Sequence, residues 1–405
     1  MRVAVVFDNF GPYHLARLEA ASKKETILGI QVNRKSLDYL WNQTPKESPF
    51  ESVTLNRTNR ILPGRIINQQ LKQALERFMP ECVLVPGWSR SYSHFCQSWC
   101  LKNKVPAVVM SETTEQDLKR SPHKEWVKRQ LLRGYSAAFV GGSPHSGYLA
   151  KLGMSPARIV QGYDVVDNEY FAFGARKARA ETNALRERLG LPKKYFLGSA
   201  RFISRKNLLG LLEAFALYRS IAAPASHRNG KGGANDPCSL VILGDGPLRP
   251  ELEKFIESRS LGSYVQLPGF RQYDELPIYY GLAQAFIHSS LSEPWGLVVN
   301  EAMASGLPVL VSHKCGCARD LVNPGGNGFT FDPEDPGKLA KLMAKLNSNN
   351  ACLEAMAAAS AKRISAWGPE RFAAGVLECA TVAVRKQRPR PSRWLPCLLK
   401  ILSNR

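Results

Sequence analysis

The chain has no run of about 18 apolar residues, so no segment is long enough to cross a bilayer as a helix. Its nine cysteines are odd in number, with no Cys-x-x-Cys pair and no spacing that suits zinc, which fits reduced thiols in a cytosolic protein. It contains neither Gly-x-Gly-x-x-Gly nor a Walker loop, which argues against a dinucleotide oxidoreductase and a P-loop nucleotidase. No internal repeat of about 20–50 residues is visible, so a solenoid is not indicated. Acidic residues are scarce: 34 Asp and Glu against 55 Lys and Arg leave a net charge of +21. Such an excess favours polyanionic partners, whether nucleic acid, acidic headgroups or phosphorylated small molecules, and does not choose among them.

What is present is ample apolar material. Hydrophobic residues make up 44% of 405, enough for large cores and for two or three domains of about 100–200 residues each. The opening Met1–Asp8 is too short for a signal peptide and reads as a first strand ending in a carboxylate. Further strand-like runs follow at Ile27–Val32, Cys82–Val85, Ala107–Met110 and Ala137–Val140, with helix-like stretches such as Pro12–Ala21, Arg65–Phe78 and Glu125–Arg133 between them. The second half repeats the pattern: strands at Tyr195–Ser199, Leu240–Leu243, Val265–Leu267, Ala285–His288 and Pro308–Val311, helices at Leu208–Tyr218, Pro250–Ser258 and Val298–Ala304. This alternation predicts an α/β chain with right-handed βαβ units and a parallel sheet in each half. The boundary is expected within Gly162–Pro192, giving domains over 1–170 and 190–369. Ala222–Pro237, rich in Gly, Asn and Ser, reads as a disordered surface insertion.

The most informative stretch runs from Ser289 to Val309. It reads as a strand end, a tight loop holding Glu293, a helix opening at Gly296–Leu297 and carrying Glu301, a Gly306 cap and another strand. A glycine at a helix start lets an anionic ligand approach free backbone N–H groups, which the helix dipole favours. Carboxylates beside the C-terminal ends of parallel strands suit the vicinal hydroxyls of a sugar or ribose. Arg201 and Lys206, in Ser199–Asn207, form a basic pair in a strand-to-helix loop, a sensible phosphate clamp.

Glu293 and Glu301 with Gly296 between them, followed by Ala302–Val309, closely resemble the signature of the retaining glycosyltransferases of GT-B family four. Further segments are similar to that family in the same order: Ser199–Asn207, Leu240–Pro247 with Gly244 and Gly246, Gly269–Arg271 with Phe270, Gly325–Phe329 and Asp332–Asp335. The resemblance is strong over about Leu197–Ala340 and loose before it. In the first half, Gly11 and His14 follow the first strand where the family has a Gly-rich loop, although the usual double glycine is missing. Asp167 and Phe171 resemble the interdomain crossing, with Asp164 in place of the usual asparagine.

The resemblance implies a GT-B enzyme, two Rossmann-like domains facing across a cleft, with the final helix, about 370–385, packing back on the first. The second domain would hold a nucleotide-diphosphate sugar, and the first would present a glycan, lipid-linked or other hydroxyl acceptor. Glu301 would bind the ribose, Glu293 the transferred sugar, and Arg201 and Lys206 the departing diphosphate. Gly296, Leu297, Gly244, Gly246, Phe270, Arg271 and Gly11 would complete the donor site. His14, which would face the cleft, His94 and Glu112 are candidates for the acceptor side; for His94 and Glu112 a solvated or structural role is the simpler alternative. No Asp-x-Asp is present, the pair many sugar transferases use to hold a divalent ion, so no metal or other cofactor is expected. Cys315 and Cys317 read as ordinary thiols.

Two other classes stay open. A nucleotide-sugar hydrolase or epimerase would turn over donor without acceptor. A nucleic-acid-binding protein would suit the charge, but no recognised motif or aromatic stripe accompanies it. Part of the charge lies at the end, where Arg385–Arg405 carries seven Lys and Arg and no acid. The 386–405 stretch reads as a Pro/Arg tail whose Trp394–Leu402 either is solvated or lies in an anionic headgroup region. Cytoplasmic placement, with peripheral contact at the inner face of a membrane, follows as an expectation.

Overall fold

The computed structural model describes residues 1–34, 48–58, 60, 62–117, 120–222, 237–385 and 391–403. The chain divides into two units, Met1–Asp167 with Trp367–Arg405, and Asn168–Ala366. Most of the Ala222–Pro237 insertion lies outside the described residues.

The first unit is a parallel sheet wrapped by helices. Its elements are β1 (Arg2–Phe7), α1 (Pro12–Ser22), β2 (Thr26–Asn33), β3 (Glu51–Asn56), α2 (Gly64–Phe78), β4 (Cys82–Pro86), α3 (Ser91–Asn103), β5 (Ala107–Ser111), α4 (Pro122–Leu132), β6 (Ala137–Val140), α5 (Ser143–Lys151) and β7 (Ile159–Gln161). The strands run in the order β3-β2-β1-β4-β5-β6-β7. Strand β1 shows why a continuous apolar run makes a central strand. Its side chains alternate between faces, Val3, Val5 and Phe7 entering one core and Ala4 and Val6 the other.

The second unit repeats the plan with α6 (Asn168–Ala180), α7 (Thr182–Leu189), β8 (Tyr195–Ser199), α8 (Leu208–Ala222), β9 (Ser239–Leu243), α9 (Arg249–Ser258), β10 (Val265–Gly269), α10 (Leu276–Leu282), β11 (Ala285–His288), α11 (Leu297–Ala304), β12 (Val309–Ser312), α12 (Ala318–Leu321), β13 (Gly328–Phe331), α13 (Pro336–Asn347) and α14 (Asn350–Ile364). Its strand order is β10-β9-β8-β11-β12-β13. Strands β8 and β11 pair directly, Phe196 opposite Ala285 and Leu197 opposite Phe286. In both sheets the order reverses between the first strand and the fourth, the switch point where open α/β sheets bind ligands.

Two helices return to the first unit. In α15 (Pro369–Arg385), Phe372, Val376, Cys379 and Ala383 recur at helical spacing and enter the same core as Val3, Val5 and Phe7. The end of the chain is not a wholly solvated tail: part of it is helical and packed, while Trp394 and Ile401 stay exposed. Leu395–Ser403 is a helix, α16, whose Leu395 and Leu399 are buried against Leu131, with Trp88, Leu101 and Val127 around them. Pro396, which reads as a helix breaker, is the second residue of α16, where no intrahelical N–H bond is lost. Residues 386–390 of the stretch, including Pro389, lie outside the described residues.

Strands β3, β7 and β13 are not legible as apolar runs, and each lies at a sheet edge among the described residues, where its side chains are only partly buried. The Gly325–Gly328 turn leads into β13.

Leu395→Ala is expected to lower the stability of the chain by about 2–4 kcal/mol through the cavity it opens. Urea denaturation monitored by tryptophan fluorescence measures this, and an unchanged midpoint would refute the docking of α16.

Candidate active site

The sequence-predicted residues of the second unit gather around the C-terminal ends of β8, β9 and β11. The loop after β8 is built against the loop after β9: Ala200 N–H donates to Leu243 O at 3.0 Å and Phe202 N–H to Asp245 O at 2.8 Å. This contact explains the Gly-x-Gly turn. A Cβ on Gly244, whose φ is +120°, would stand 1.9 Å from Ala200 O, so only glycine fits. The glycine pair therefore seats the loop that carries Arg201, which is half-buried there.

Lys206 closes a short 3₁₀ turn, Ser204–Lys206, and its loop is stitched to the segment after β11. Ser289 Oγ donates to Lys206 O at 3.0 Å, and Leu291 N–H donates to Arg205 O at 2.8 Å. These bonds bring the Lys206 ammonium into a salt bridge with Glu293. The Glu293 carboxylate is only 8% exposed. Its Oε2 also lies 3.2 Å from His288 Nε2 and 3.4 Å from Ser290 Oγ. Burial alone would raise the Glu293 pKa; the hydrogen bond from His288 and the charge of Lys206 override it and hold the carboxyl well below its usual range. Glu293 is thus an ionised, buried carboxylate at neutral pH.

The loop carrying it is clasped from the far side. Gly316 N–H donates to Glu293 O at 2.9 Å and Cys317 N–H to Trp295 O at 3.1 Å. Cys315 and Cys317 are free, buried thiols, pushed well above their usual pKa by burial. Gly296 then enters α11 with φ +102°, a left-handed turn that aims the chain past Glu293. Leu297, half-buried, is the first residue of the helix, and the leading N–H groups have no intrahelical acceptor.

Glu301, the fifth residue of α11, is buried, and Tyr280 of α10 donates to its Oε2 at 2.7 Å. Tyr280 and His288 are the two residues that sequence reasoning missed. One sits in an apolar helix and the other ends an apolar strand; a polar atom within a buried run was the available signal. Arg271 is engaged locally, donating to Glu275 at 3.2 Å and to Pro268 O at 2.9 Å, while Phe270 beside it is partly exposed.

In the first unit, Gly11 caps α1 and its N–H donates to His14 Nδ1 at 3.1 Å. Burial and the neighbouring Arg17 push the His14 pKa down to about 3, so the ring is neutral and its Nε2 carries the hydrogen. His14 therefore presents a donor and not a base. His94, on α3, is buried, and its Nδ1 has no hydrogen-bond partner among the described residues. Glu112 is exposed just beyond β5. A polar chain also crosses the ends of β1, β2 and β3: Tyr92 donates to Asp8 at 2.9 Å, Asn33 to Asp8 at 3.2 Å and Asn56 to Asn33 at 3.1 Å. Asp164, which replaces the expected asparagine, is buried 3.9 Å from Arg17.

Residues 181–363 match the family model described as "Glycosyl transferases group 1". The alpha-monoglucosyldiacylglycerol synthase of Acholeplasma laidlawii is 27% identical over 61% of this chain, and the alpha-D-kanosaminyltransferase of Streptomyces kanamyceticus is 27% identical over 58%. The matches span 62% and 57% of the length of those two proteins. Among solved structures, Anabaena HepE in complex with UDP superposes with a TM-score of 0.71 at 17% identity, covering 93% of this chain and 99% of HepE. That likeness extends the shared fold, two Rossmann-like α/β domains of the GT-B class, over both units. The signature around Glu293 and Glu301 falls within the residues that match the group 1 glycosyl transferase model.

Proposed function

We propose that the chain is a retaining, metal-independent glycosyltransferase of GT-B family four, moving a sugar from a nucleotide diphosphate to a hydroxyl acceptor. The observation that carries this reading is Glu293: a buried carboxylate kept ionised at the switch point of the second unit, beside a cation. A charge so costly to bury is suited to a polyhydroxylated ligand that bears transient positive charge.

In this reading Glu301 receives the ribose, steadied by Tyr280, and Glu293 takes hydroxyls of the transferred sugar. The bond between the anomeric carbon and the diphosphate oxygen breaks with its electron pair going to the phosphate. Arg201, Lys206 and the N–H groups at the start of α11 stabilise that negative charge. The acceptor oxygen attacks from the same face, and its proton passes to the leaving phosphate, so that configuration is retained. The charge falls to these residues because the sequence has no Asp-x-Asp to hold a metal.

The acceptor belongs to the first unit. A glycan or lipid-linked hydroxyl compound of cell-envelope or exopolysaccharide synthesis is the proposed class, supported by a synthase of a glucosyl diacylglycerol among the relatives. The enzyme would act in the cytoplasm, at the inner membrane face where its acceptor is lipid-linked. Two leucines of the tail, Leu395 and Leu399, are packed within their own unit, while Trp394 and Ile401 stay exposed.

Three outcomes are expected. In a thermal-shift panel of UDP-, GDP-, ADP- and TDP-sugars, one nucleotide family raises the melting temperature of the wild type, and the shift shrinks in Glu301→Gln. That variant keeps an acceptor for Tyr280 and removes the charge. No shift with any of them would overturn the donor reading. With a donor in hand, Lys206→Met is expected to lower kcat by about 100–1000-fold, the usual cost of removing one preorganised stabiliser of developing charge. Activity should persist in excess EDTA, with the anomeric configuration of product read by NMR matching that of the donor; loss of activity would refute metal independence. Donor consumed equally fast without acceptor would instead favour a hydrolase.

A further inference from the structure

Lys206, His288 and Ser290 all meet a single oxygen of Glu293, Oε2, while Oε1 takes no partner among the described residues. His288 is buried at the end of β11 with its ring stacked on Phe286 at 6.2 Å. Because Nε2 faces a carboxylate oxygen, it carries the hydrogen, and the lone pair of the neutral ring is on Nδ1. The charged groups facing His288 are Glu293, from its loop, and Lys206, from the loop after β8. Cys315 and Cys317, on the clasping segment, face Glu293 and are neutral thiols. Burial first, then the Lys206 charge, hold His288 below the usual imidazole value of 6.5; the bond to Glu293 pulls the other way.

Lys206 therefore has two anionic claimants. In the chain as it stands its ammonium pairs with Glu293, whereas a bound diphosphate would offer it a larger negative charge. An ammonium that turns to the diphosphate leaves a carboxylate almost out of water with one hydrogen-bonding neighbour that can replace the lost charge. We propose that His288 is a positioning residue that takes up a proton from solvent as the donor's diphosphate draws Lys206 away, so that Glu293 stays paired and aimed at the sugar. This rests on the donor reading given above. The proton adds to Nδ1, the ring becomes an imidazolium, and the bond from Nε2–H to Oε2 becomes charge-assisted. Departure of Lys206 removes a cation that opposed protonation and leaves the anion that favours it, so the His288 pKa rises in the complex. Donor affinity then falls as pH rises through the interval between the two values.

The test is calorimetric titration of the full chain with UDP-glucose and with GDP-mannose at pH 7, in phosphate, HEPES and Tris buffers. These nucleotide sugars are diphosphate diesters with no phosphate proton to exchange near neutrality, so any proton taken from the buffer goes to the protein. The expected result is a binding enthalpy that varies with the protonation enthalpy of the buffer in the sense of proton uptake. The Kd should also weaken as pH rises from about 6 to 8. Both effects should vanish in His288→Asn, whose amide cannot titrate. Donor binding without proton uptake, or uptake retained in folded His288→Asn, overturns this inference and leaves the donor reading standing. Failure of every nucleotide sugar in the thermal-shift panel overturns the donor reading, and this inference with it. Should His288→Asn not fold, the wild-type Kd still decides, since a value independent of pH over that range overturns the proposal.

Discussion

The second unit is organised around one expensive object, the buried charge of Glu293. A carboxylate taken out of water must be met by a cation and by hydrogen bonds, or it costs several kcal/mol and protonates instead. Its partners come from separate parts of the chain: Lys206 follows β8, His288 and Ser290 end and follow β11, and the Cys315–Cys317 segment clasps the loop. Strands β8 and β11 are neighbours only because the strand order reverses between them. The topology of the sheet and the ionisation of one side chain are thus the same fact seen at two scales.

Smaller features follow from that need. Ser289 bonds to Lys206 O, and Leu291 to Arg205 O, so that the ammonium is delivered by a fixed loop and not by a free side chain. Gly244 lets the loop of Arg201 lie directly on the end of β9, and Gly296 turns the backbone into α11 beside Glu293. Glu301 is met by Tyr280 from α10, so each signature carboxylate has a neutral, buried donor of its own. The same solution appears in the first unit, where the buried Asp164 has Arg17 for company and Arg17 also donates to Val165 O.

The two units differ in how much of their chemistry is local. In the second, Glu293, Gly296, Leu297 and Glu301 lie within nine consecutive residues. Their spacing along a loop and a helix survives as a readable string. In the first, Asp8, Asn33, Asn56 and Tyr92 are brought together only by sheet pairing and side-chain hydrogen bonds at the ends of three strands and a helix. Among the residues read from sequence on that side, His14 has its acceptor nitrogen engaged by Gly11, and Glu112 is exposed to solvent. Nothing in the order of residues marks the Asp8 network, because its members are 23 to 84 residues apart.

The sequence by itself determined the α/β class, the central strands and the Glu293–Glu301 signature, because each rests on residues near one another in the chain. Alternation along β1, helical spacing in α15 and glycine before α11 act over one or two turns, where local sterics decide. Only the tertiary structure decided what depends on which element packs on which. It placed His288 and Tyr280 against the carboxylates and put β3, β7 and β13 at sheet edges, where burial does not stamp an apolar run. It also turned the basic tail into a docked helix: Leu395 and Leu399 lose their apolar surface to Leu131, a contact between residues more than 260 positions apart that no local pattern encodes.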